Sequence, residues 1–558
     1  MHRQFLISAA LTLNLAAVAG AQTLVLKNAR IYTVDEKTPW ADALAINGDG
    51  VLIAVGAEKE VLDRAGDGAE IVDLGGKMVM PGFQDTHLHA VEAGMNALLC
   101  EFDQFGTLDD YQETVEECAQ KSKSSDWILG SGVNMGRLLE LTDDPRAALD
   151  EVAPDRPVLI LDDVGHGAWI NSVAMKAAGY DVAPDEPNGN IILRKPDGAP
   201  NGVVLENAQQ RLRNLALPPN EKNQQLAYDS LLDALQELNK NGITSVSDAG
   251  GYWPQGHQLV WRRAEEEGLL TVRASNAFYI YPDQPLEDQA AALKKLYAND
   301  ANSLLRFNAA KIYVDGILEQ TTGALLEPYE KEAGAMKGME RGYLYFPETA
   351  LNRAAKDLSQ AGFQLHFHVT GDRGARLALN AIEQANQASG PHRLTHLYLA
   401  DPQDFPRFAK LNAIADLQLA PSAVDPDYVQ SMKRLIGERV EHLMPAGSLV
   451  AAGATVTLSS DWDADELNPL IKIKTAVTRP ANGLPDVATA IKAYTINAAV
   501  ALRQADRTGS IEVGKFADLV VLSDDILDMP VDKIDEVKIE ATLLQGEPVF
   551  DPNKLFDK

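Results

Sequence analysis

The chain has 558 residues, of which 46% are hydrophobic and 23% are charged, a composition typical of folded globular proteins rather than disordered or repeat proteins. This length exceeds one minimal domain and is enough for a large barrel with a satellite domain. The net charge of −30 disfavours binding to phosphate backbones or anionic lipid, so no nucleic-acid partner is predicted.

The first 21 residues have the three parts of a secretory signal peptide. His2 and Arg3 precede an apolar run over residues 5–18, and residues 19–21 form an Ala-x-Ala cleavage signal. The apolar run is too short for a permanent transmembrane helix, and no other stretch is apolar enough, so no membrane span is predicted. We expect a mature chain that begins near Gln22 and is exported, to the periplasm or outside the cell.

Both ends of the expected mature chain are rich in β-forming residues. Strand-like segments lie at residues 23–34, 43–46, 50–55 and 71–74, and again at residues 518–522, 537–544 and 548–550. These ends flank a long middle section of different character. We therefore predict one discontinuous β-sandwich domain built from residues 22–77 and 500–558.

The middle section, residues 78–499, alternates short apolar strands with helical segments, as parallel βα units do. Eight strand candidates lie near residues 78–85, 243–248, 271–277, 308–315, 363–369, 393–398, 413–418 and 454–460. Eight parallel strands with intervening helices predict an α/β fold, a TIM (β/α)8 barrel.

The stretch between the first two strand candidates is too long for a simple βα connection. It contains a strand candidate of its own at residues 157–162 and several turn-rich segments. We predict an inserted subdomain over about residues 100–235 that lies above the barrel mouth and shapes substrate access. The chain's two cysteines, Cys100 and Cys118, lie here, and the sequence leaves open whether they pair or stay free.

The first barrel strand ends in a His-x-His pair, His87 and His89. Side chains two residues apart on a strand point the same way, so both imidazoles can bind one metal ion. In TIM barrels the active site forms at this end of the strands. Three further metal-binding residue types end later strands: His368 the fifth, His396 the sixth and Asp461 the eighth.

Histidine and aspartate are natural ligands for zinc and related divalent ions. Any one of these residues could instead be a hydrogen-bonded structural residue, but the chain has only ten histidines and four of them end barrel strands. We therefore predict a site for one or two divalent ions, with zinc as the expected metal.

Lys311, in the fourth strand, is a sixth candidate ligand. A protonated lysine cannot bind a cation. A lysine carbamylated by CO2 becomes an anionic oxygen ligand that can bridge two metal ions. The alternative is an unmodified lysine that serves as an internal cation.

Several motifs resemble those of the amidohydrolase superfamily, specifically its amidohydrolase 3 branch, over nearly the whole mature chain. They are VMPGFQDTHLH at residues 79–89, GHGAWINS at 165–172, KIYVDG at 311–316, HVTGD at 368–372, RLTH at 393–396, SD at 460–461 and GSIEVGKFADLVV at 509–521. Each motif is loose by itself, and their shared order makes the resemblance specific.

The resemblance implies that His87, His89 and Asp461 hold one metal, that His368 and His396 hold a second, and that carbamylated Lys311 bridges them. It also implies that His166, in the insertion, contacts the substrate or polarises its carbonyl group. A structural loop histidine is the alternative for this residue.

The expected chemistry is hydrolysis of an amide or related C–N bond. A metal lowers the pKa of bound water to about 7. Asp461 is the expected catalytic residue, because its carboxylate can take a proton from the attacking water and pass it to the leaving nitrogen. The expected partner is a small-molecule substrate, and a homo-oligomer is compatible with the sequence.

Three other functions remain open. The same site could hydrolyse an ester, lactone or carbamate, and deamination is a further option. An exported metal- or solute-binding protein without activity is the alternative from another class, although a pure binding site needs no proton shuttle such as Asp461. The chain lacks the Gly-x-Ser-x-Gly motif of many serine hydrolases and the glycine fingerprint of nicotinamide enzymes.

Overall fold

A computed structural model describes residues 23–96, 99–122, 126–181 and 189–556. The predicted signal peptide lies outside these residues. In the described part of the chain, no helix combines the length and the apolar character that crossing a membrane requires.

Eight parallel strands form a barrel and are hydrogen-bonded to one another in chain order. Their bounds are Phe83–Leu88, Ile243–Gly251, Arg273–Tyr279, Leu305–Tyr313, Gln364–Val369, Arg393–His396, Ile414–Leu417 and Thr455–Leu458. Nearly every residue in these strands is buried, because helices cover the outside of the barrel and side chains fill the inside. The predicted TIM-barrel fold is confirmed.

The barrel closes where its first and last strands end. The backbone N–H of Asp461 donates to the carbonyl of His87 over 2.8 Å, and that of His89 donates to the carbonyl of Trp462 over 2.7 Å. The segment after the eighth strand is therefore fixed directly against the His-x-His pair of the first.

Helices surround the barrel and pack on its strands through one large hydrophobic core. Their bounds are Ala90–Asn96, Glu221–Lys240, His257–Glu266, Leu286–Lys294, Glu348–Gln360, Asp372–Gln384, Phe405–Leu411, Pro426–Ile436, Ala446–Ala451, Pro469–Thr478, Val487–Tyr494 and Ile496–Ala501. Short 3-10 helices span Trp253–Gln255, Lys331–Ala333, Gln387–Ser389, Pro421–Val424, Gly437–His442 and Val531–Glu536.

Two sheets built from the chain ends form the satellite domain around a separate apolar core. One sheet has four strands, in the spatial order Leu52–Gly56, Ala43–Ile46, Leu24–Lys27 and Glu70–Asp73. The other has six, in the order Glu547–Phe550, Ile539–Leu544, Leu519–Leu522, Met78–Pro81, Arg30–Tyr32 and Trp40–Ala41. The helix Glu58–Ala65 packs on the first sheet. Strands from both ends of the chain thus share the second sheet.

The strand predicted at residues 78–85 is in fact two strands in different sheets. Met78–Pro81 pairs with Leu519–Leu522 in the satellite domain, and Phe83–Leu88 begins the barrel. Gly82 separates them, and a Cβ atom there would lie 2.4 Å from the side chain of Thr244. Position 82, where the chain passes from one sheet to the other, requires a glycine because a side chain there would clash with Thr244. The barrel therefore begins after residue 82 rather than at residue 78.

The insertion after the first barrel strand has a six-stranded sheet of its own, with two small cores. Its strands are Cys100–Glu101, Ile128–Val133, Val158–Asp162, Gly167–Ile170, Asn190–Arg194 and Pro200–Glu206. Its helices are Leu108–Lys121, Met135–Leu141, Pro145–Val152, Ser172–Ala178 and Asn207–Ala216. A disulfide joins Cys100 to Cys118 and fastens the first strand to the first helix.

The insertion ends earlier than the predicted residue 235. The helix Glu221–Lys240 packs against Ala90–Asn96 and the second barrel strand, so it belongs to the helical layer of the barrel. The amphipathic pattern of that helix is the same whichever core it faces, and only the packing assigns it to the barrel.

Candidate metal centre

The structure brings all seven predicted site residues to the mouth of the barrel, at the carboxyl ends of the strands. Six belong to barrel strands or follow them directly, and they are His87, His89, Lys311, His368, His396 and Asp461. The seventh, His166, precedes the insertion strand Gly167–Ile170 and faces the same space. The short segments after parallel strands meet at one edge of the barrel, which is why distant residues converge there.

One compact group at the mouth consists of His87, His396 and Asp461. One ligand atom from each lies within 4.8 Å of the others. The Asp461 carboxylate is 3.0 Å from Nε2 of His87 and 3.7 Å from Nδ1 of His396. Two imidazoles and one carboxylate that face each other at this separation form a donor set suited to a divalent cation.

His89 lies at the edge of this group, with its Nε2 3.4 Å from Asp461. Its Nδ1 contacts the carboxylate of Glu92 at 2.7 Å. Arg213, from the insertion, forms an ion pair with the other oxygen of that carboxylate at 2.5 Å. A carboxylate behind a histidine orients the ring and leaves the opposite nitrogen for a metal.

His368 completes the ring of histidines. Its ring centroid lies 4.5 Å from that of His396, and its ring stacks on Tyr313 at 4.2 Å. Its Nε2 is 3.2 Å from the carbonyl oxygen of Gly316, while its buried Nδ1 has no hydrogen-bond partner among the described residues. A buried nitrogen without a partner is unfavourable in a finished core, and a bound metal ion would remove this cost.

Lys311 lies below His87, fully buried, with its Nζ 3.3 Å from both ring nitrogens. No carboxylate forms an ion pair with this amine within the described ranges. Burial lowers the pKa of Lys311 to about 7. Because its Nζ contacts the His87 ring, the amine lies beside a proposed metal ligand.

The protonation states of the histidines fit a ligand role. Burial holds the pKa of His87 and of His368 well below the usual value, and it lowers the pKa of His396 to about 3. These rings are neutral near pH 7 and have lone pairs to donate. Burial raises the pKa of Asp461, but His87 and His396 outweigh it and hold that pKa well below its usual value.

His89 behaves differently. Burial lowers its pKa, but hydrogen bonds with Asp461 and Glu92 outweigh burial and raise the pKa to about 10. A metal ion at this ring would therefore take the place of a proton. The three neutral imidazoles of His87, His368 and His396, together with the Asp461 carboxylate, fit a divalent ion such as zinc.

The backbone around the ligands is held in an uncommon conformation. His396 and Asp461 both have positive φ, at 76° and 59°, which is rare outside glycine and often found at functional sites. Buried Asp85 accepts from the backbone N–H of His87 and that of Ser460, and Lys472 donates to the carbonyl of Ser460 over 3.0 Å. Buried charged side chains thus fix both sides of the cluster.

A second possible donor set lies deeper in the barrel and comprises His87, His366 and Asp416. Its carboxylate already accepts from the hydroxyls of four residues, which are Thr86, Thr395, Thr457 and Ser459. The guanidinium of Arg393 contacts His366 at 3.0 Å, and a positive charge there repels a cation. This set is therefore a hydrogen-bonded network that lies deeper in the barrel than the group of His87, His396 and Asp461.

A cleft of about 250 Å³ separates the insertion from the barrel mouth. Its lining includes His89, His396 and Asp461 from the barrel, together with His166, Asp162 and Asp163 from the insertion. The His166 ring centroid lies 5.1 Å from that of His368. The insertion therefore covers the cluster and adds a histidine of its own.

Several residues that shape this site are not among the sequence predictions. His366 repeats the His-x-His pattern with His368, and Glu92 follows His89 by three residues, so a search for local patterns could have found both. Arg213 and Glu206 lie in the insertion with no local signal, and only the fold brings them to the site.

Comparisons with known proteins find relatives that match most of the chain. The model of the Amidohydrolase family matches residues 70–550. The "N-substituted formamide deformylase" of Arthrobacter pascens is 29% identical over 94% of this chain and 97% of its own length. The "Putative amidohydrolase YtcJ" of Bacillus subtilis (strain 168) is 27% identical over 93% of this chain and 98% of its own.

Among solved structures, an uncharacterized metal-dependent hydrolase from Pyrococcus furiosus superimposes with a TM-score of 0.68 and 23% identity. The match covers 91% of this chain and all of that one. At this level of identity the likeness concerns the fold.

Proposed function

Because this chain belongs to the amidohydrolase family, we propose that it is a metal-dependent hydrolase that cleaves an amide or related C–N bond in a small N-acyl compound. The observation that carries the proposal is the meeting of His87, His396 and Asp461 at the barrel mouth, within 4.8 Å. The relative named as a deformylase of N-substituted formamides supports a C–N bond as the target.

The metal site would use His87, His89 and Asp461 for one ion and His368 with His396 for a second, with zinc as the expected metal. A metal bound there supplies a water nucleophile that is deprotonated near neutral pH and a Lewis acid for the substrate carbonyl. The ligands are held by buried charged groups, so the site is formed before substrate enters.

Asp461 is the proposed acid–base residue. Its carboxylate accepts one proton from the attacking water and delivers that proton to the leaving nitrogen, so that an amide yields a carboxylic acid and an amine. The carboxylate faces the cleft, with its side chain 20% exposed, while most of its neighbours are buried. A group that must exchange protons with substrate needs this access.

Lys311 is proposed to be carbamylated. Its neutral Nζ forms a bond to the carbon of CO2 and loses one proton, which leaves an anionic carbamate. If Lys311 is carbamylated, it would supply anionic oxygen ligands for metal beside His87. In its protonated form the unmodified amine, 3.3 Å from His87, would instead repel a cation.

His166 is proposed to contact the substrate from the insertion side of the cleft. We further propose that the chain is exported after removal of residues 1–21, so that the enzyme acts outside the cytoplasm.

Metal analysis and substrate profiling together test the proposed function. The protein is purified without added metal, its metal content per chain is measured, and hydrolysis is followed on matched pairs of formamides, acetamides and esters. We expect one or two equivalents of zinc-like metal, faster hydrolysis of amides, loss of activity with a chelator and recovery with zinc, manganese or cobalt.

Each alternative predicts a different result in this experiment. Faster hydrolysis of the esters would indicate an esterase or lactonase with the same site. Bound metal without hydrolysis of any compound would favour a binding protein. No bound metal, and no activity after metals are supplied, would contradict the metallohydrolase proposal.

A further inference from the structure

The insertion also brings the buried carboxylate of Glu206 to the site, where it has no role in the hydrolysis proposed above. Glu206 ends the insertion strand Pro200–Glu206, and its side chain is fully buried. It belongs neither to the metal ligands nor to the barrel. A buried carboxylate is costly unless it is paired and hydrogen-bonded, so its partners indicate what it does.

Three donors meet this carboxylate. One oxygen accepts from Nδ1 of His166 at 2.8 Å and from the hydroxyl of Tyr345 at 2.6 Å. The other accepts from the hydroxyl of Thr322 at 2.5 Å. An ionised carboxylate can only accept hydrogen bonds, so these contacts favour the charged form and fix its orientation.

The backbone also joins Glu206 to His166. His166 directly precedes the strand Gly167–Ile170, which pairs antiparallel with the strand that Glu206 ends, and the N–H of Glu206 donates to the carbonyl of His166 over 2.7 Å. Glu206 has φ of 59° and ψ of −134°, which is unfavourable for any residue except glycine. Glu206 thus has an unfavourable backbone conformation at the same position where its side chain contacts His166.

The barrel leaves room for the carboxylate. A Cβ atom on Gly316 would lie 2.1 Å from Oε1 of Glu206. The carbonyl of the same glycine contacts His368. The acid from the insertion therefore lies directly against the barrel segment that supports a proposed metal ligand.

These contacts determine how His166 faces the cleft. The carboxylate takes Nδ1, so Nε2 is the nitrogen left to meet a substrate, and Nε2 has no hydrogen-bond partner in the described part of the chain. The ring lies 5.1 Å from His368 and 5.8 Å from Tyr313, measured between centroids. A carbonyl group bound at the metal cluster would lie beside this nitrogen.

We propose that Glu206 is a positioning residue that holds the His166 ring through Nδ1 and stabilises positive charge on it, so that Nε2 donates a hydrogen bond to the carbonyl oxygen of the substrate. This inference rests on the proposed hydrolase function. A fixed, positively charged donor favours the negative charge that develops on this oxygen during attack. The insertion then takes part in catalysis as well as covering the cleft.

The first test does not depend on activity. Proton–nitrogen NMR spectra are recorded on the metal-containing enzyme with 15N-labelled histidine, and His166→Asn identifies the signals of His166. We expect a downfield Nδ1–H signal that persists in Tyr345→Phe, which keeps the carboxylate, and disappears in Glu206→Gln. A His166 spectrum that Glu206→Gln leaves unchanged would overturn the proposal.

The second test is kinetic. We expect Glu206→Gln and His166→Asn each to lower kcat by about 10-fold to 100-fold with little change in KM, because the lost hydrogen bond strengthens in the transition state. If Glu206 acts through His166, the double variant loses no more than His166→Asn alone. Losses that multiply in the double variant would contradict the positioning role.

Two controls separate the possible failures. The first control is Glu267→Gln. Glu267 is a surface glutamate outside the cleft that also accepts from a tyrosine hydroxyl, that of Tyr228. This substitution should leave kcat unchanged. Metal content should be equal in wild type and Glu206→Gln. If the wild type hydrolyses nothing, the proposed function fails, and the NMR comparison still decides whether Glu206 positions His166.

Discussion

The Nε2 atom of His87 lies 3.0 Å from Oδ1 of Asp461, although His87 is in the first strand of the barrel and Asp461 follows the last. The backbone N–H of Asp461 also donates to the carbonyl of His87, over 2.8 Å. The seam that closes the barrel is thus also the place where the proposed proton carrier meets a proposed metal ligand. The geometry of the site therefore depends on complete closure of the barrel.

Asp461→Asn should nearly abolish hydrolysis. Asparagine keeps the shape and one oxygen donor but cannot accept the proton from the attacking water, so kcat should fall by about 100-fold to 10,000-fold. Bound metal should remain, because the histidines still bind it. Turnover and metal content measured on the same sample check this, with exposed Asp63→Asn as the control. A variant with normal turnover would exclude Asp461 as the proton carrier.

Lys311→Met should lower the number of bound metal ions per chain. Methionine fills a similar volume but cannot form a carbamate, so the bridging ligand is lost and the second ion is held poorly. Elemental analysis gives the metal ratio, and 13C NMR after incubation with labelled bicarbonate should show a carbamate signal in wild type only. Exposed Lys240→Met is the control. Equal metal content in both proteins, with no carbamate signal in wild type, would contradict the bridging role.

Glu92→Gln should weaken metal binding without unfolding the protein. Glu92 holds Nδ1 of His89 at 2.7 Å and forms an ion pair with Arg213, so loss of its charge weakens the basicity and orientation of the ring. We expect metal affinity to fall by about 10-fold to 100-fold. Competition with a coloured chelator measures the affinity, and exposed Glu237→Gln provides the comparison. Unchanged affinity would mean that His89 is not a ligand.

The double substitution Cys100→Ser and Cys118→Ser should destabilise the insertion. The disulfide closes a loop over a sequence separation of 18 residues, and constraint of the unfolded chain by a loop of this size contributes about 3 kcal/mol. Denaturant unfolding with and without reductant checks the size of the effect. Wild-type protein from an oxidising compartment should show no free thiol after denaturation, and two free thiols would disprove the pairing.

Sequence patterns predicted the barrel well because buried parallel strands carry their own signal. Each of the seven later strand predictions overlaps an observed barrel strand, since a strand covered on both faces is a nearly continuous apolar run. The pattern at residues 78–85 predicts a single strand, because a run of apolar residues on both sides of Gly82 does not show that the two halves pair with different partners.

The cleft was only partly visible in the sequence. Histidines and an aspartate at strand ends could be found because the strands themselves could be found. The pairing of Cys100 with Cys118 could not be decided, since it depends on the distance between a strand and a helix. Glu206 lies in an ordinary strand pattern and Arg213 in an ordinary helix pattern. Nothing near them in the chain indicates that Glu206 contacts His166 or that Arg213 contacts Glu92.

The sequence by itself therefore determined which residues lie at the ends of barrel strands and which chemical groups they offer, because alternation and burial are encoded in neighbouring residues. Only the tertiary structure decided which of these groups meet. The contact of Glu206 with His166, Thr322 and Tyr345 joins the insertion to the barrel, and such contacts depend on how separate elements pack. Hydrogen bonds act over about 3 Å, so a shift of a few ångströms between elements removes them, and no local pattern fixes that packing.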